Sequence, residues 1–419
     1  MKFTFEEENT PLRHQGIIKE GNIKQLFNLI LAQRGISRIE ISEKTGLSRS
    51  TVSFLVDELR KNGIVNTIGN AKSDSSGRKP IMLTINQDRA QIIAVSLTKK
   101  KIFYKLFGLE CNEIEKFSED VVYEKGCGLK IKESIVQKSS RLQQDILFAV
   151  CVSIPAQVSN VDHSINLSIL DIKKDCNLVE ELKSMWPDIP LSIGNQTSAL
   201  AYAEYKYRFR EKAEDMIFFS LNEGVAAGIF FNGKVFTAEI GHMSIDTNGP
   251  PCECGKSGCL ELFVSSETIM KRFNAAATAC QAATACQAAT ACQAAGKEKK
   301  VLSDYRAVKK MLEADTAILE AARSIAKEAA FGINNVICMF NPKFIIIGGG
   351  IEELGDIFLK MVVSEIKIPD SGGARPEKRI TIDYSRLGND ADLSGVVQYF
   401  FDNIFTITVE MENTVFIWN

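Results

Sequence analysis

The most constraining feature of this sequence is a segment rich in cysteine and glycine, GHMSIDTNGPPCECGKSGCLE, at residues 241–261. The thiols of Cys252, Cys254 and Cys259 lie within eight residues, in a loop that glycine and proline allow to turn tightly. His242 adds an imidazole from the preceding segment. Three thiolates and one imidazole complete a tetrahedral Zn²⁺ shell with no open position, which is typical of a structural site. A redox-active thiol group and a loop without metal are the alternative interpretations.

The N-terminal region carries a positive charge that the rest of the chain lacks. Residues 13–79 contain twelve Lys or Arg against six Asp or Glu, whereas the whole chain has a formal net charge of -2. Apolar residues of 23–35 recur at helical spacing, and the segment 36–48 predicts a second short helix that ends before the turn residue Gly46. Ser48 is a good N-cap for a third helix. The pattern predicts a helix-turn-helix, and the positive charge suits a polyanion partner.

The third helix and the segment behind it supply the candidate DNA contacts. Two β-prone runs, 64–68 and 81–85, flank a basic loop and are expected to form a wing. Hydroxyl and guanidinium side chains at the start of such a helix can approach base edges and phosphates. The predicted DNA-binding residues are Arg38, Ser48, Arg49, Ser50, Thr51 and Ser53 in the helices and Lys72, Arg78 and Lys79 in the loop. The alternative is a helical packing domain with a flexible basic loop.

Length and composition limit the class of protein. A chain of 419 residues exceeds what one hydrophobic core usually organises, so two or three domains are expected. The composition is 45% hydrophobic and 24% charged, no apolar run reaches 18 residues, and the acidic start is unlike a secretory signal. We therefore expect a cytoplasmic protein without membrane segments, in which the eleven cysteines do not form a disulfide set.

The zinc motif and the helix-turn-helix before it resemble the ROK family, which contains sugar-responsive transcriptional repressors and sugar kinases. The resemblance covers residues 20–400, and GRKPIMLTIN at the end of the wing is similar to the repressor branch, of the xylose and N-acetylglucosamine repressor type. It implies an α/β fold in which a winged helix-turn-helix precedes a two-lobed actin-like, hexokinase-like (ribonuclease H-like) body. The expected domains are a DNA-binding domain at 1–88, a first lobe at 89–197 completed by C-terminal helices at about 391–419, and a second lobe at 198–390 with the zinc loop 241–261 and a repeat insertion at 275–296.

The residues that the family's kinases need for phosphoryl transfer are replaced here. Those kinases have a catalytic Asp after an Asn, whereas Asn195 is followed by Gln196, which cannot accept a proton but can hydrogen-bond a sugar hydroxyl. The first phosphate loop, DxGxT-like in the family, reads SLT at 96–98, and Glu223 in the second loop would repel a phosphate. The triple glycine at 348–350 remains, but such a turn is also common in α/β domains without nucleotide.

The resemblance implies that the sugar contacts are retained. In the family, a Glu three residues before the zinc-binding His, that His, and the Glu two residues after the last Cys contact the sugar, and these match Glu239, His242 and Glu261. Asn195 and Gln196 complete the predicted sugar-binding set. Such groups suit a hydroxylated ligand, because an analogue without the hydroxyls leaves them unpaired. His242 would use one nitrogen for Zn²⁺ and the other for the sugar.

Residues 278–295 are three copies of TACQAA. Residues six apart on a helix differ by about 240°, so Cys280, Cys286 and Cys292 point in three directions and cannot form one metal site. We interpret the repeat as an inserted surface segment, helical or mobile, without chemistry.

Together these patterns predict a sequence-specific DNA-binding regulator, a repressor of carbohydrate genes, that responds to a sugar or sugar phosphate bound between the lobes. It is expected to form a homodimer or homotetramer, to lack kinase activity, and to associate with the nucleoid when bound to operator DNA. One alternative is a ROK-type sugar kinase that phosphorylates a hexose with ATP. Another is a regulator that binds a phosphotransferase-system protein instead of a sugar.

Overall fold

The computed structural model describes residues 13–33, 35–70, 80–159, 161–166, 168–210, 215–288, 301–367, 380–388, 390–405 and 414–418. None of the helices in these ranges has the length and hydrophobicity needed to span a bilayer. The predicted wing residues Lys72, Arg78 and Lys79, and the end of the TACQAA repeat, lie outside the described residues.

The N-terminal module has three helices and a three-stranded sheet, as predicted for a winged helix-turn-helix. The elements are α1 (Arg13–Gln33), β1 (Ile36–Ser37), α2 (Arg38–Thr45), α3 (Arg49–Lys61), β2 (Val65–Asn70) and β3 (Ile81–Ile85). β3 lies between β1 and β2 and pairs antiparallel with both. β2 and β3 are the two strands of the wing.

Local sequence explains where the helices of this module begin and end. Ser37 and Glu40 form a reciprocal capping box at the start of α2. Gly46 ends α2 with a φ of 71°, a conformation that residues with a side chain rarely adopt. The Ser48 hydroxyl caps α3 by accepting a hydrogen bond from the N–H of Thr51 at 3.1 Å. The buried residues of α3 are those of the predicted apolar stripe, Val52, Leu55, Val56 and Leu59.

The body consists of two lobes, each with its own β-sheet. The first lobe contains β4 (Gln91–Leu97), β5 (Lys101–Gly108), β6 (Glu113–Asp120), α4 (Cys127–Lys138), β7 (Leu147–Ile154), β8 (Gln157–Val158), β9 (Ile165–Asn166), α5 (Leu178–Met185), β10 (Leu191–Asn195) and α6 (Gln196–Ala203). The second lobe contains β11 (Asp215–Leu221), β12 (Val225–Phe231), β13 (Lys234–Ala238), α7 (Glu261–Val264), α8 (Ser266–Ala288), α9 (Tyr305–Lys309), α10 (Thr316–Phe340), β14 (Phe344–Gly348), α11 (Asp356–Ser364) and β15 (Thr381–Tyr384). The last described elements are α12 (Ala391–Tyr399) and β16 (Val415–Trp418).

The two large sheets share one design, an antiparallel meander that parallel strands continue. In the first lobe the order is β16-β10-β7-β4-β5-β6, with β4 to β6 antiparallel and β7, β10 and β16 added in parallel. In the second lobe the order is β13-β12-β11-β14-β15, with β11 to β13 antiparallel and β14 and β15 added in parallel. This repetition agrees with the predicted two-lobed body.

Two details of the predicted domains differ from the structure. The expected helices of 391–419 are present as α12 and the π-helical turn Phe400–Ile404, but Val415–Trp418 form an edge strand parallel to β10. β-branched and aromatic residues favour a strand, and the edge of β10 offers unpaired backbone groups. The expected lobe boundary at residue 197 falls inside α6, which is one unbroken helix.

One hydrophobic core joins the DNA-binding module to the first lobe. Phe27 of α1 is buried and packs against Phe401, with ring centroids 6.2 Å apart, and against Phe405, at 5.7 Å. Phe148 of β7 contacts Phe405 at 5.2 Å. The module is therefore packed on the body through α1, in addition to being connected to it by the chain.

We predict that Phe27→Ala lowers the free energy of unfolding by about 3–5 kcal/mol, because it leaves a cavity between the module and the body. Phe54→Ala is the matched control, since the Phe54 side chain on α3 is 56% exposed. Denaturant unfolding followed by circular dichroism measures both. Equal losses in the two variants would contradict a shared core at Phe27.

Candidate functional site

Four side chains of the cysteine-rich segment converge on one point. His242 ends the 3₁₀ turn Ile240–His242, and Cys252, Cys254 and Cys259 follow in the loop. Their ligand atoms all lie within 4.8 Å of one another, with 3.6 Å between Cys252 Sγ and His242 Nδ1 and 3.5 Å between Cys254 Sγ and Cys259 Sγ. A tetrahedral ion with bonds of zinc length would hold such atoms about 3.5–3.8 Å apart. The cluster can hold one metal ion.

Backbone contacts shape this loop as well as its thiols. The N–H of Cys252 donates to the carbonyl of Lys256 at 2.7 Å, and the N–H of Gly258 donates to the carbonyl of Pro250 at 2.8 Å. Gly258 has a φ of +63°, and a Cβ there would lie 1.7 Å from the carbonyl oxygen of Asp246. Only glycine fits such a close approach.

A cleft of about 1290 Å³ lies between the two lobes beside this loop. Residues from β10, α6 and the metal loop line it. The structure brings all of the predicted sugar-binding residues to this one cleft: Asn195, Gln196, Glu239, His242 and Glu261. Contact between each of them and a sugar stays a prediction.

The two carboxylates of the predicted sugar-binding set are held in place by protein donors. Glu239 Oε1 accepts a hydrogen bond from Gln157 Nε2 at 3.0 Å, and Glu261 Oε2 accepts one from the N–H of Val225 at 2.9 Å. Burial raises the pKa of Glu239, and the bond from Gln157 opposes the shift.

Both the oxygen and the nitrogen of the Asn195 amide form hydrogen bonds with the backbone. Its Oδ1 caps α6 by accepting from the N–H of Thr197 at 2.8 Å, and its Nδ2 donates to the carbonyl of Ala156 at 3.0 Å. The side chain is 4% exposed. Of the five predicted sugar contacts, Asn195 is thus the one with the least hydrogen-bonding capacity left for a ligand.

Gln196 is paired with a buried carboxylate that the sequence did not single out. Its Nε2 donates to Asp392 Oδ2 at 3.2 Å and to Ser96 Oγ at 3.3 Å. Asp392 is 1% exposed and also accepts from the hydroxyls of Ser96 and Ser153, both at 2.6 Å. Burial raises the pKa of Asp392. The only signal in the sequence is an acidic residue among small and apolar ones, in GNDADLSG.

Gly349 and Gly350, in the third phosphate-loop region, are explained by the backbone conformation of the turn. Gly349 and Gly350 have φ values of +95° and +101°, and a Cβ on Gly349 would lie 2.9 Å from the backbone of Leu221. The N–H of Gly350 donates to Glu352 Oε2 at 2.9 Å. These glycines are required by the strand-to-helix turn whether or not a nucleotide binds.

The predicted DNA-binding residues that the structure describes lie at the start of α2 and in the first turns of α3, but they are not equally free. Arg49 and Ser50 are exposed on the first turn of α3. The Ser48 hydroxyl caps α3 through its hydrogen bond with the N–H of Thr51, and Arg38 forms an ion pair with Asp57 at 2.6 Å. Arg49 is therefore the best placed of the described candidates to meet a nucleic acid, because the Ser50 hydroxyl is hydrogen-bonded to that of Ser48 at 2.8 Å.

Phe54, on the same helix, was not among the sequence-based candidates. Its ring is 56% exposed, and the ammonium of Lys19 lies 5.4 Å from the ring centroid. The helical spacing from Ser50 places Phe54 on the same face of α3. The sequence did not indicate this residue, because apolar periodicity alone predicts that a phenylalanine of this helix is buried.

Comparison with known proteins gives the family. A profile described as ROK family matches residues 128–400, and one described as winged helix-turn-helix DNA-binding matches residues 20–66. The chain belongs to the ROK family. The family and the module predicted from the sequence are confirmed.

The relatives include a regulator and an enzyme. A xylose repressor of Bacillus subtilis is 27% identical over 402 residues, which is 90% of this chain and 91% of that protein. The crystal structure of a ROK family transcriptional regulator, described as a homologue of the E. coli MLC protein, covers 92% of this chain and 97% of that one with a TM-score of 0.72 and 21% identity. A ROK family glucokinase from Streptomyces griseus, in complex with glucose and AMPPNP, covers 74% and 98% with a TM-score of 0.60 and 19% identity. These structures confirm the predicted fold of winged helix-turn-helix and two-lobed body.

We predict that the purified chain holds one metal ion and that Cys252→Ser reduces this to near zero, because a structural site with three remaining ligands binds far more weakly. Cys338→Ser is the control, since Cys338 is an exposed cysteine outside the cluster. Elemental analysis by mass spectrometry measures the metal content. A full equivalent of metal in Cys252→Ser would contradict the site.

Proposed function

We propose that this protein is a DNA-binding transcriptional repressor of carbohydrate genes whose affinity for operator DNA is set by a sugar in the interlobe cleft. The observation that carries the proposal is Gln196, an amide that faces the cleft where the family's kinases have a catalytic Asp. The other predicted sugar-binding residues line the same cleft, whereas the catalytic base of the kinases is replaced by an amide that cannot accept a proton. The winged helix-turn-helix and the similarity to a xylose repressor support the same function.

On this proposal the sugar binds without being phosphorylated. An amide cannot take the proton of a sugar hydroxyl, and Nε2 of Gln196 is already engaged by Asp392 and Ser96. That pairing leaves Oε1 of Gln196 as the amide atom that could accept a hydrogen bond from a sugar hydroxyl. Glu223, exposed at the edge of the same cleft, adds negative charge where a nucleotide would bring its phosphates.

We infer that the metal is Zn²⁺ in a structural role. Three thiolates and an imidazole are a ligand set that Zn²⁺ prefers, and they leave no open position for catalysis. Because His242 Nδ1 is the nitrogen beside Cys252, its Nε2 is left for the cleft. The metal would thus fix the position of His242 directly. It would also fix Glu261 indirectly, because Glu261 follows the ligand Cys259 by two residues.

The charge of the cleft favours an uncharged sugar over a sugar phosphate. No arginine is among the described residues that line it, and seven carboxylates face three lysines there. The carboxylates are Glu223, Glu239, Glu253, Glu261, Glu267, Asp304 and Glu353, and the lysines are Lys99, Lys100 and Lys271. Lys271 is paired with Glu267 at 2.6 Å, which reduces the positive charge further.

A packed route leads from the cleft to the DNA-binding module. Gln196 opens α6, and Asp392, its partner, lies in the first turn of α12. The two helices touch closely, because a Cβ on Gly395 of α12 would lie 2.0 Å from the carbonyl of Ala199 on α6. α12 runs on into the turn that carries Phe401, which packs on Phe27 of α1.

We infer that a sugar acts by stabilising one arrangement of α6 and α12, and that α1 transmits it to α3. Such a ligand changes DNA affinity only if it binds the two arrangements with different affinity. Winged helices that read two half-sites act in pairs, so the working form would be a homodimer or a tetramer of dimers. The protein would act in the cytoplasm, at the nucleoid, and a phosphotransferase-system partner stays a prediction without a contact to support it.

We predict that an unphosphorylated sugar among D-xylose, D-glucose and N-acetylglucosamine raises the melting temperature, and that the 6-phosphates of the two hexoses do not, because the cleft repels a phosphate. Glu239→Gln should weaken sugar binding by about tenfold or more by removing a charged acceptor. Glu267→Gln, at the exposed edge, is the matched control. Preferential binding of a sugar phosphate would contradict the charge argument.

We predict that Arg49→Ala weakens binding to an operator selected from a random duplex pool by about 1–3 kcal/mol, because a contact near the bases or phosphates is lost. Arg323→Ala, an exposed arginine of α10, is the charge-matched control and should leave affinity unchanged. Fluorescence anisotropy measures both, with and without the sugar that stabilises the protein. Absence of DNA binding together with sugar-dependent ATP consumption would instead identify a kinase.

A further inference from the structure

Phe54 is an apolar residue of α3 that the core of the module does not take up. It is 56% exposed, whereas the four residues of the buried stripe of the same helix are at most 2% exposed. Phe54 follows Ser50 by four positions, so both lie on one outward face of α3, about 6 Å apart along its axis. The ring therefore stands on the face of the helix whose first turn carries the predicted DNA contacts.

A cation from α1 holds the Phe54 ring from one side. Lys19 Nζ lies 5.4 Å from the ring centroid, and the same ammonium group pairs with Glu58 Oε2 at 3.2 Å. The ring attracts the cation, and the ion pair keeps the cation in place. An aromatic side chain that is already oriented loses less conformational entropy when a partner covers its other side.

The charges around Phe54 favour a polyanion as its partner over a second copy of this chain. The exposed charged residues of α3 carry a net charge of +2: Arg49, Arg60 and Lys61 against Asp57. Two such surfaces would repel each other, whereas the phosphates of a DNA duplex would be attracted to either of them.

The major groove of DNA offers one group that suits an exposed phenyl ring, the C5 methyl of thymine. The other groups on the base edges are hydrogen-bond donors and acceptors, which phenylalanine cannot pair. If the first turn of α3 approaches the bases, Phe54 lies one helical turn further along. With base pairs spaced about 3.4 Å apart, that distance corresponds to one or two base-pair steps.

We propose that Phe54 is a specificity-determining residue that recognises a thymine through its C5 methyl group in the major groove. The inference rests on the proposed function, because it requires α3 to enter the groove of an operator. It adds a base preference to that function, an A·T pair at one fixed position in each half-site. Burial of the methyl group against the ring removes apolar surface of both from water, which stabilises the complex.

Replacement of thymine by deoxyuridine tests the proposal, because it removes only the methyl group. An operator selected from a random duplex pool is prepared with each thymine replaced singly, and fluorescence anisotropy measures the affinity of the full chain. We expect the replacement at one position in each half-site to weaken binding about three- to fivefold, as the loss of one buried methyl group should.

Two results of this scan would be read differently. Equal affinity for every substituted duplex, in a chain that binds the operator, would overturn this inference alone. A chain that binds no duplex at all would overturn the proposed function and this inference with it.

Variants at Phe54 show whether the methyl effect passes through this ring. In Phe54→Ala, deoxyuridine at the sensitive position should cause no further loss of affinity. An effect of the methyl group on DNA shape would persist in this variant, so the comparison isolates the contact. A methyl effect of equal size in Phe54→Ala and in the original chain would contradict the proposal.

Phe54→Leu is the second variant, in case Phe54→Ala does not fold. It keeps an apolar side chain and should retain part of the preference for thymine over deoxyuridine, whereas a preference of undiminished size would contradict a role for the ring. Phe231→Ala is the matched control, since Phe231 is a 42% exposed phenylalanine at the end of β12. It should bind both duplexes as the original chain does, and circular dichroism verifies that each variant is folded.

Discussion

The hydrogen bonds at Asp392 are the interaction on which the arrangement of this body depends. One carboxylate oxygen gathers donors from β4, β7 and α6 and belongs to α12 itself. Four elements, from β4 to α12, therefore meet at a single buried carboxyl group. Oδ2 of Asp392 accepts three hydrogen bonds, which stabilise the structure, whereas the loss of these donors would leave a buried carboxyl group unpaired in a medium of low dielectric constant. Gln196, which lines the cleft, is therefore hydrogen-bonded directly to α12, the helix that leads to the contact with the DNA-binding module.

The metal loop has a comparable role in the second lobe. It brings His242 to the cleft and positions Glu261 at the start of α7, where its carboxylate also receives the N–H of β12. Backbone bonds and glycines that exclude a side chain give the loop its path, and the ligand set closes it. On the proposed function, a metal held by these four residues would keep the positions of His242 and Glu261 fixed without chemistry of its own.

Much of the fold could be predicted from local sequence, because caps and turns depend on a few neighbouring residues. Ser48 and Gly46 marked the helix ends, and the apolar stripe of α3 is the buried one. The edge strand β16 was missed because four residues after a helical stretch carry too little signal without knowledge of the strand they pair with. The engagement of Asn195 as a cap and of Arg38 with Asp57 was also invisible, since each depends on where another element lies.

The sequence by itself predicted the four candidate metal ligands and the winged helix-turn-helix, because both are encoded by residue type at short spacing. The resemblance carried by these motifs predicted the family and the polar residues that line the cleft. The tertiary structure alone decided that Asp392, 196 positions after Gln196, is its partner, and that Phe27 and Phe401 share one core. It also decided that Oδ1 of Asp392 is buried without a hydrogen-bond partner among the described residues. The physical reason is that burial and pairing depend on which elements pack together, and spacing along the chain does not record that packing.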